Sequence, residues 1–280
     1  MACDIKIGWA FVNILMLIST MQQCVLGLSQ VPCFFIFGDS LSDSGNNNLL
    51  ATLTKANYLP YGNDFAIGPT GRFCNGETRV DVIDKFLGFV NYIPPFAMAT
   101  SYTLRVLNYA FSGSGILDHT GGNLGEHISL NQQLQNHKVT IKSIVAKLGT
   151  IDSATQYLNQ CLYTVGMGTN DYANNYFSTL FSLKSLLFLN FSQFCNSLCL
   201  FLCLCYNELD FARSWSEEDC TPYTINVFPV NITGCVENLN HAAKLFNKKL
   251  KSLVDQLNTN LSDAKFIYVN KMHYVQVLKC

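Results

Sequence analysis

Short apolar runs alternate with amphipathic stretches along this chain, and the alternation predicts an α/β fold. Four runs have the length of a β-strand: Phe34–Phe37, Leu104–Tyr109, Cys161–Gly166 and Phe266–Val269. Such short runs, bounded by turn residues, are typical of strands buried inside a parallel sheet. Because predicted helices separate the strands, we expect one parallel sheet with helices on both of its faces.

Three longer stretches predict the helices. Between residues 236 and 261, apolar residues recur in steps of three and four, which is the pattern of an amphipathic helix. The stretch Thr78–Phe89 has similar spacing, and Thr78 is a suitable N-cap. Residues 128–148 have a largely helical composition.

Polar turns follow three of the strand candidates, and this is where we look for chemistry. The turns are Gly38–Leu41, Asn108–Gly115 and Gly168–Asp171. In open parallel sheets the active site lies beyond the carboxyl ends of the strands. We therefore expect the three turns to meet around one site.

The turns contain a candidate nucleophile and candidate hydrogen-bond donors. A serine, Ser40, in the first turn, a glycine N–H in the second turn and the amide of Asn170 in the third are the groups that acyl transfer requires. For Gly38–Leu41 alone, a helix cap at Asp39 or Ser40 is the better explanation, because caps use the same residue types. The three turns together favour the catalytic interpretation.

The composition excludes several classes of protein. Of 280 residues, 13% are charged and 12% are aromatic, which argues against a disordered chain or a coiled coil. Lys and Arg number 18 and Asp and Glu number 19, for a net charge of −1. So small a net charge produces no field that would gather nucleic acid, and we expect no such partner.

The first 27 residues have the pattern of a secretory signal peptide. An apolar run from Trp9 to Ile18 is followed by small residues suited to cleavage before Leu28. The alternative is a membrane anchor, but the run is shorter than the roughly 20 residues that a span needs. The secretory route is also favoured by N-x-[ST] sequons at Asn190, Asn231 and Asn260. We expect a secreted glycoprotein whose mature domain covers residues 28–280.

The 12 cysteines leave their pairing open. Cys220 and Cys235 are spaced like a loop disulfide of an oxidising compartment. Two buried thiols are equally compatible with the sequence, because spacing along the chain does not show whether the Cα atoms come close enough.

The stretch from Leu180 to Tyr206 differs from the rest of the chain. It contains one charged residue, Lys184, and consists mainly of Leu, Phe, Ser and Cys. A transmembrane helix over Leu186–Tyr206 would carry polar amides near its middle, which is costly in hydrocarbon. A cysteine metal site is the second interpretation, and it is disfavoured because such sites are normally built in tight turns with glycine. The third interpretation is that the stretch comes from a retained intron or a shifted reading frame. We therefore expect residues 178–219 to be aberrant. We also predict no stable membrane span.

At the polar turns the chain resembles a known family. The block Val31–Asn47, with Gly-Asp-Ser-Leu at 38–41, is similar to the first block of the plant GDSL esterase/lipases, which are SGNH hydrolases. Asn108–Ile116 and Val165–Phe177 resemble the next two blocks, and Cys220–Asn270 resembles the later region. The resemblance implies a flavodoxin-like α/β/α sandwich, and hydrolysis of small-molecule or lipid esters without a metal or cofactor. It implies no particular oligomeric state.

The resemblance also implies a role for each candidate residue. Ser40 would be the nucleophile, and the backbone N–H groups of Ser40 and Gly113 with the side-chain amide of Asn170 would form the oxyanion hole. The family's general base is a histidine in an Asp-x-x-His motif near the C-terminus. No Asp-x-x-His occurs in these 280 residues. We expect none of the five histidines to be the base: His119, His127, His137, His241 and His273.

Further departures from the family affect the expected fold and activity. The family's strand before Cys220 is not recognisable between Ser178 and Asp219, which predicts an incomplete sheet and poor folding. Phe111 stands where the family usually has serine, which predicts crowding of the oxyanion loop. His137 is expected on a helix surface. Two functions therefore compete: a secreted serine ester hydrolase, and an inactive SGNH-like protein that binds acyl or acetylated ligands.

Overall fold

The computed structural model describes residues 29–100, 104–172, 209–212, 237–261 and 264–269, with the backbone alone for 209–212 and 237–242. The strands are β1 (Phe34–Gly38), β2 (Val106–Asn108), β3 (Leu162–Gly166), β4 (Leu209–Ala212) and β5 (Phe266–Val269). The helices are α1 (Arg79–Phe86), α2 (Leu130–Leu148), α3 (Ile151–Leu158) and α4 (Glu237–Asn260), with short 3₁₀ turns at Phe96–Met98 and Gly122–Leu124.

The strands form one sheet in the order β2-β1-β3-β4-β5, and every neighbouring pair is parallel. The chain builds β2 on one side of β1 and then returns to place β3 on the other side. This reversal makes the carboxyl ends of β1 and β3 a topological switch point, where open α/β sheets bind their ligands.

Alternate residues of β1 face the two layers of helices. Phe35 and Phe37 lie in the larger apolar cluster, with residues of α2, α3 and α4. Phe34 and Ile36 lie in the smaller cluster, with Val80 of α1. Because side chains alternate between the faces of a strand, these two clusters define a three-layer α/β/α sandwich. The predicted fold class is confirmed.

The predicted absence of a strand before Cys220 is wrong. Strand β4 lies between β3 and β5 and pairs with both. Its sequence, Leu-Asp-Phe-Ala, is short and includes an acidic residue, so it does not look like a buried strand. Its neighbours in the sheet determine its conformation. The expectation of poor folding stays a prediction. Helix α3 was also not predicted.

Several predictions lie outside the described residues. They concern the signal peptide at 1–27, the segment Leu186–Tyr206, the pair Cys220 and Cys235, and the sequons at Asn190 and Asn231. The third sequon asparagine, Asn260, is exposed at the end of α4. Among the described helices, none is both long and apolar enough to cross a membrane.

A disulfide that the sequence did not predict joins Cys33 to Cys161. The two cysteines immediately precede β1 and β3, are 128 residues apart along the chain, and have Cα atoms 4.7 Å apart. Both residues are buried. The bond therefore links the amino ends of the two central strands.

We expect removal of this disulfide to destabilise the protein strongly. The variant Cys33→Ala/Cys161→Ala should lose about 2–5 kcal/mol of unfolding free energy, because the unfolded chain regains a long unconstrained loop. Urea denaturation monitored by circular dichroism measures the change. Cys74→Ala, at a half-buried cysteine outside any described disulfide, is the matched control. Equal urea midpoints for the double variant and the parent would contradict the expectation.

Helix α1 begins as predicted and is held by buried charges. Thr78 is its N-cap and forms a capping box with Asp81. Asp81 also accepts two hydrogen bonds from the buried Arg72 guanidinium, at 2.7 and 2.8 Å. Asp84, one turn later, is buried, and its Oδ1 atom has no hydrogen-bond partner within the described part of the chain. Burial and the nearby Asp81 charge raise the pKa of Asp84 from 3.8 to about 7.

Asp84 should make stability depend on pH. The folded state keeps a proton that the unfolded state releases between pH 3.8 and about 7, so stability falls as pH rises through this window. Asp84→Asn should flatten this decline and raise the melting temperature at pH 8 relative to the parent. Melting temperatures at pH 4, 5.5, 7 and 8 test this, with the exposed Asp255→Asn as control. Parallel curves for parent and Asp84→Asn would show that Asp84 does not titrate in this range.

Candidate active site

The three predicted site residues follow three adjacent strands. Ser40 comes after β1, Gly113 after β2 and Asn170 after β3. Because β1 lies between β2 and β3, the turns that carry these residues meet at the switch point. The structure thus brings together the three polar turns, as the sequence predicted.

The Ser40 turn is tight and leaves its serine partly exposed. The N–H groups of Ser42 and Asp43 both donate to the carbonyl of Asp39, at 3.1 Å. The Asp39 side chain accepts from the N–H of Leu41 at 3.1 Å. Ser40 is half-buried, and no hydrogen bond to its hydroxyl is found among the described residues. Ser40 is therefore partly exposed, and its hydroxyl is not held by the described residues.

A buried glutamine fixes the end of β1 just before this turn. Gln133 of α2 accepts from the N–H of Gly38 at 3.0 Å and donates to the carbonyl of Gly38 at 2.9 Å. Phe111 is fully buried, and its N–H also donates to the Gly38 carbonyl, at 3.0 Å. Sequence reasoning missed Gln133, because a glutamine in a helix normally indicates a surface position.

The Asp43 carboxylate ties the first turn to the second. Its Oδ1 accepts from the N–H groups of Gly45 and Asn46 at 2.8 and 2.9 Å, and its Oδ2 accepts from the N–H of Ser112 at 2.9 Å. Burial raises the pKa of Asp43 to about 7, against the opposing effect of these three N–H groups. Asp43 therefore connects the Ser40 turn to the residue that precedes Gly113.

Two asparagines reinforce the same connection. The Asn46 amide donates to the carbonyls of Asn108 and Ala110, both at 2.8 Å. The Asn108 amide donates in the opposite direction, to the carbonyl of Ser42. All of these groups are buried, so each hydrogen bond satisfies a carbonyl that water does not reach.

Gly113 has a left-handed backbone conformation, with φ at +82°. Such values favour glycine, because a Cβ atom is strained there. A Cβ at this position would lie 3.4 Å from Leu124 Cδ1 and 3.5 Å from Thr54 Cγ2. Gly113 is therefore flanked by an apolar side chain and a methyl group.

Asn170 and Asp171 tie the third turn to the second. The Asn170 amide donates to the Ser114 carbonyl at 2.8 Å, immediately after Gly113. The buried Asp171 carboxylate accepts from the N–H groups of Ile116 and Leu117 at 2.8 and 3.0 Å, and from the Thr120 hydroxyl at 2.8 Å. Burial raises the pKa of Asp171 despite these donors. The second turn is thus held from both sides.

Comparison with known proteins shows the family of this chain. The family model described as GDSL-like lipase/acylhydrolase matches residues 34–278. The GDSL esterase/lipase At1g29670 of Arabidopsis thaliana is 43% identical over 270 residues, which cover 94% of this chain and 74% of the relative. The Arabidopsis GDSL esterase/lipase At5g45670 is 44% identical over 252 residues, 85% of this chain and 68% of the relative.

The chain belongs to the GDSL-like lipase/acylhydrolase family. The resemblance seen in the sequence is confirmed, and membership supports hydrolysis of ester bonds as the general activity. It also supports a small-molecule ester as the substrate class.

One histidine of this GDSL family member is not where it was expected. The prediction that His137 lies on a helix surface is wrong, because its ring is fully buried among aromatic residues. These are Phe35, Phe37, Tyr109 and Tyr163. Its Nδ1 atom is 3.0 Å from the Tyr109 hydroxyl, and burial lowers its pKa to about 3. Like Gln133, it lies on the polar-looking face of α2 that packs on the sheet.

The other described histidine side chains lie in the segment after the second turn. His127 Nε2 is 2.6 Å from the carbonyl oxygen of Asp118, and His119 is exposed. Within the described ranges, no histidine forms a hydrogen bond to Ser40. His273 lies outside these ranges, and the side chain of His241 is not described. In the same ranges, no group of three or more His, Cys, Asp or Glu side chains is arranged to hold a metal ion.

We expect Asp171→Asn to loosen the second turn of this GDSL fold. An amide has one acceptor oxygen for three donors, so at least one buried N–H or hydroxyl loses its partner. The expected loss is about 1.5–3 kcal/mol of unfolding free energy, measured by urea denaturation. Asp118→Asn changes an exposed carboxylate whose side-chain partners among the described residues are Ser129 and Asn131, and it should lose less. An equal loss in both variants would contradict the central role of Asp171.

Proposed function

We propose that this protein is a serine ester hydrolase and that Ser40 is its nucleophile. The single observation that carries the proposal is the position of Ser40. It is accessible at the switch point of a GDSL-family sheet, in a turn tied by Asp43 to the turn of Gly113. A nucleophilic serine requires such exposure together with nearby N–H donors.

The proposed reaction proceeds through an acyl-enzyme. The Ser40 hydroxyl attacks the ester carbonyl carbon and gives its proton to a base. This attack converts the carbonyl group into a tetrahedral intermediate with a negatively charged oxygen. The backbone N–H groups of Ser40 and Gly113 and the side-chain amide of Asn170 donate hydrogen bonds to that oxyanion. The alcohol leaves with the proton, and water then releases the acid from Ser40 by the same steps.

The proposed reaction requires a general base for Ser40. These 280 residues contain no Asp-x-x-His. A serine hydroxyl without a base stays protonated and is a weak nucleophile. We therefore propose that the 280-residue chain hydrolyses esters slowly, and that a segment carrying Asp-x-x-His raises the rate.

Two observations support the proposal that the protein is secreted. The first is the signal-like pattern of residues 1–27. The second is the Cys33–Cys161 disulfide, a bond typical of oxidising compartments. Small-molecule or lipid esters outside the cell are then the proposed substrates.

Ester hydrolysis by three proteins tests the role of Ser40. They are the 280-residue chain, a chimera extended with the C-terminal segment of the Arabidopsis relative At1g29670, and the Ser40→Ala variant of that chimera. We expect the chimera to cleave 4-nitrophenyl butyrate at least 100-fold faster than the chain alone, because general-base catalysis contributes about 10²–10⁴-fold. Ser40→Ala should abolish that gain. Ser44→Ala, which removes a buried hydroxyl with no partner in the described region, should retain it.

The alternative is an inactive SGNH-like protein that binds acyl or acetylated ligands. The observation that favours it is the absence of Asp-x-x-His from these residues. Hydrolysis by the chimera that survives Ser40→Ala would refute Ser40 as the nucleophile. If neither the 280-residue chain nor the chimera hydrolyses the ester, and the protein binds an acyl ligand saturably, the binding function is favoured.

A further inference from the structure

A cavity of about 620 Å³ lies between the second half of α2 and the part of the chain that leads into β2. Its volume falls in the range of about 300–1,000 Å³ that is typical of small-molecule sites. None of its described lining residues belongs to the three turns that carry Ser40, Gly113 and Asn170. The cavity, which we call the flank cavity, is therefore distinct from the candidate active site.

Most of the wall of the flank cavity is apolar. Phe96 contributes an aromatic ring that is half-buried. Leu104 is buried, and Val139 on the opposite side is 54% exposed. The other apolar lining residues are small: Ala99 and Ala146. An aromatic ring beside aliphatic side chains suits a flat apolar ligand, because aromatic rings also pair favourably with one another.

A chain of hydrogen bonds from the core ends at this wall. The Tyr109 hydroxyl donates to Thr140 Oγ1 at 2.7 Å, and His137 Nδ1 lies 3.0 Å from the same tyrosine oxygen. Burial lowers the pKa of His137, so its neutral ring donates from Nδ1 to Tyr109. Thr140 accepts from this chain, and no acceptor for its own hydroxyl proton is found among the described residues. Because Thr140 is 2% exposed and lines the flank cavity, a ligand there is suited to supply that acceptor.

A positive charge lies at the same cavity. Lys147 lines it, is exposed, and forms no ion pair within the described ranges. The Ser143 hydroxyl, also at the wall, already donates to the Val139 carbonyl at 3.1 Å. Thr140 and Lys147 are two helical turns apart on one face of α2. A negatively charged group in the cavity is therefore attracted by the ammonium group and can accept from the Thr140 hydroxyl.

We propose that the flank cavity binds a small aromatic carboxylate. The ring of the ligand packs against Phe96, Leu104 and Val139. One carboxylate oxygen accepts the Thr140 proton, which completes the hydrogen-bond chain from the core, and Lys147 attracts the negative charge. This site neither requires nor assists the ester hydrolysis proposed for Ser40, so the two proposals stand or fall separately.

Isothermal titration calorimetry of the 280-residue chain with 2-naphthoate tests the site. We expect one molecule to bind per chain, and 2-naphthalenemethanol, which has the same rings without the charge, to bind at least tenfold more weakly. Thr140→Val should weaken 2-naphthoate binding at least tenfold, because it removes a hydrogen bond to a charged group. Thr140→Ser keeps the hydroxyl and should retain the binding. Lys147→Gln should weaken binding about two- to fivefold, and Lys142→Gln, at an exposed lysine of α2 outside the described lining, should not change it.

Two further variants separate the site from the stability of the core and from catalysis. Ala146→Trp adds bulk at an exposed lining position, leaves the Tyr109–Thr140 hydrogen bond in place, and should abolish 2-naphthoate binding. Ser40→Ala should bind 2-naphthoate as tightly as the parent, whether or not the protein hydrolyses esters. No binding at millimolar 2-naphthoate, or equal affinity for 2-naphthalenemethanol, would overturn the proposal. Loss of binding in Ser40→Ala would also overturn it, because the probe would then lie at the candidate active site.

Discussion

The buried Asp43 carboxylate is the interaction on which the geometry of the candidate site depends. It accepts N–H groups from its own turn and from Ser112, so two strand connections share one acceptor. Asp171 of the third turn likewise accepts the N–H groups of Ile116 and Leu117, immediately after the second turn. The N–H of Ser112, before Gly113, and the N–H groups of Ile116 and Leu117, after it, are therefore all held by carboxylates. A site built from backbone donors requires this kind of constraint, because the donors themselves have no side chain to anchor them.

The same burial has an energetic cost. Loss of hydration destabilises the charged form of Asp43, although that form is the better acceptor for three N–H groups. The pKa of Asp43 is therefore raised to about 7. Buried polar groups that persist despite such a cost concentrate at functional sites. In this fold the turns that carry Ser40, Gly113 and Asn170 follow the carboxyl ends of three strands, while the disulfide lies just before the amino ends of β1 and β3. The disulfide and the candidate site therefore lie at opposite ends of the central strands.

The sequence predicted the elements whose apolar pattern is strong and local. Such patterns occur in strands β1, β3 and β5, in the helix near 236–261 and at the Thr78 cap. The polar turns that carry Ser40 and Asn170 could be predicted because they follow two of these strands. Strand β4 was missed because its conformation depends on pairing with β3 and β5. Gln133 and His137 were missed because their polar side chains are satisfied by Gly38 and Tyr109, contacts about 30 to 95 residues away in sequence. The Cys33–Cys161 pairing was missed for the same reason, because the two cysteines are 128 residues apart in sequence.

The position of that disulfide bears on the alignment of the two strands that carry Ser40 and Asn170. Neighbouring strands can in principle slide past one another, and one step of register displaces a residue by about 3.3 Å along the sheet. Such a step between β1 and β3 would move the hydroxyl of Ser40, the proposed nucleophile, relative to the side-chain amide of Asn170, the proposed oxyanion donor. A covalent bond at the amino ends of both strands fixes their register at the start of each. The spacing of Ser40 and Asn170 beyond the carboxyl ends of these strands is thus limited by a covalent bond at their amino ends.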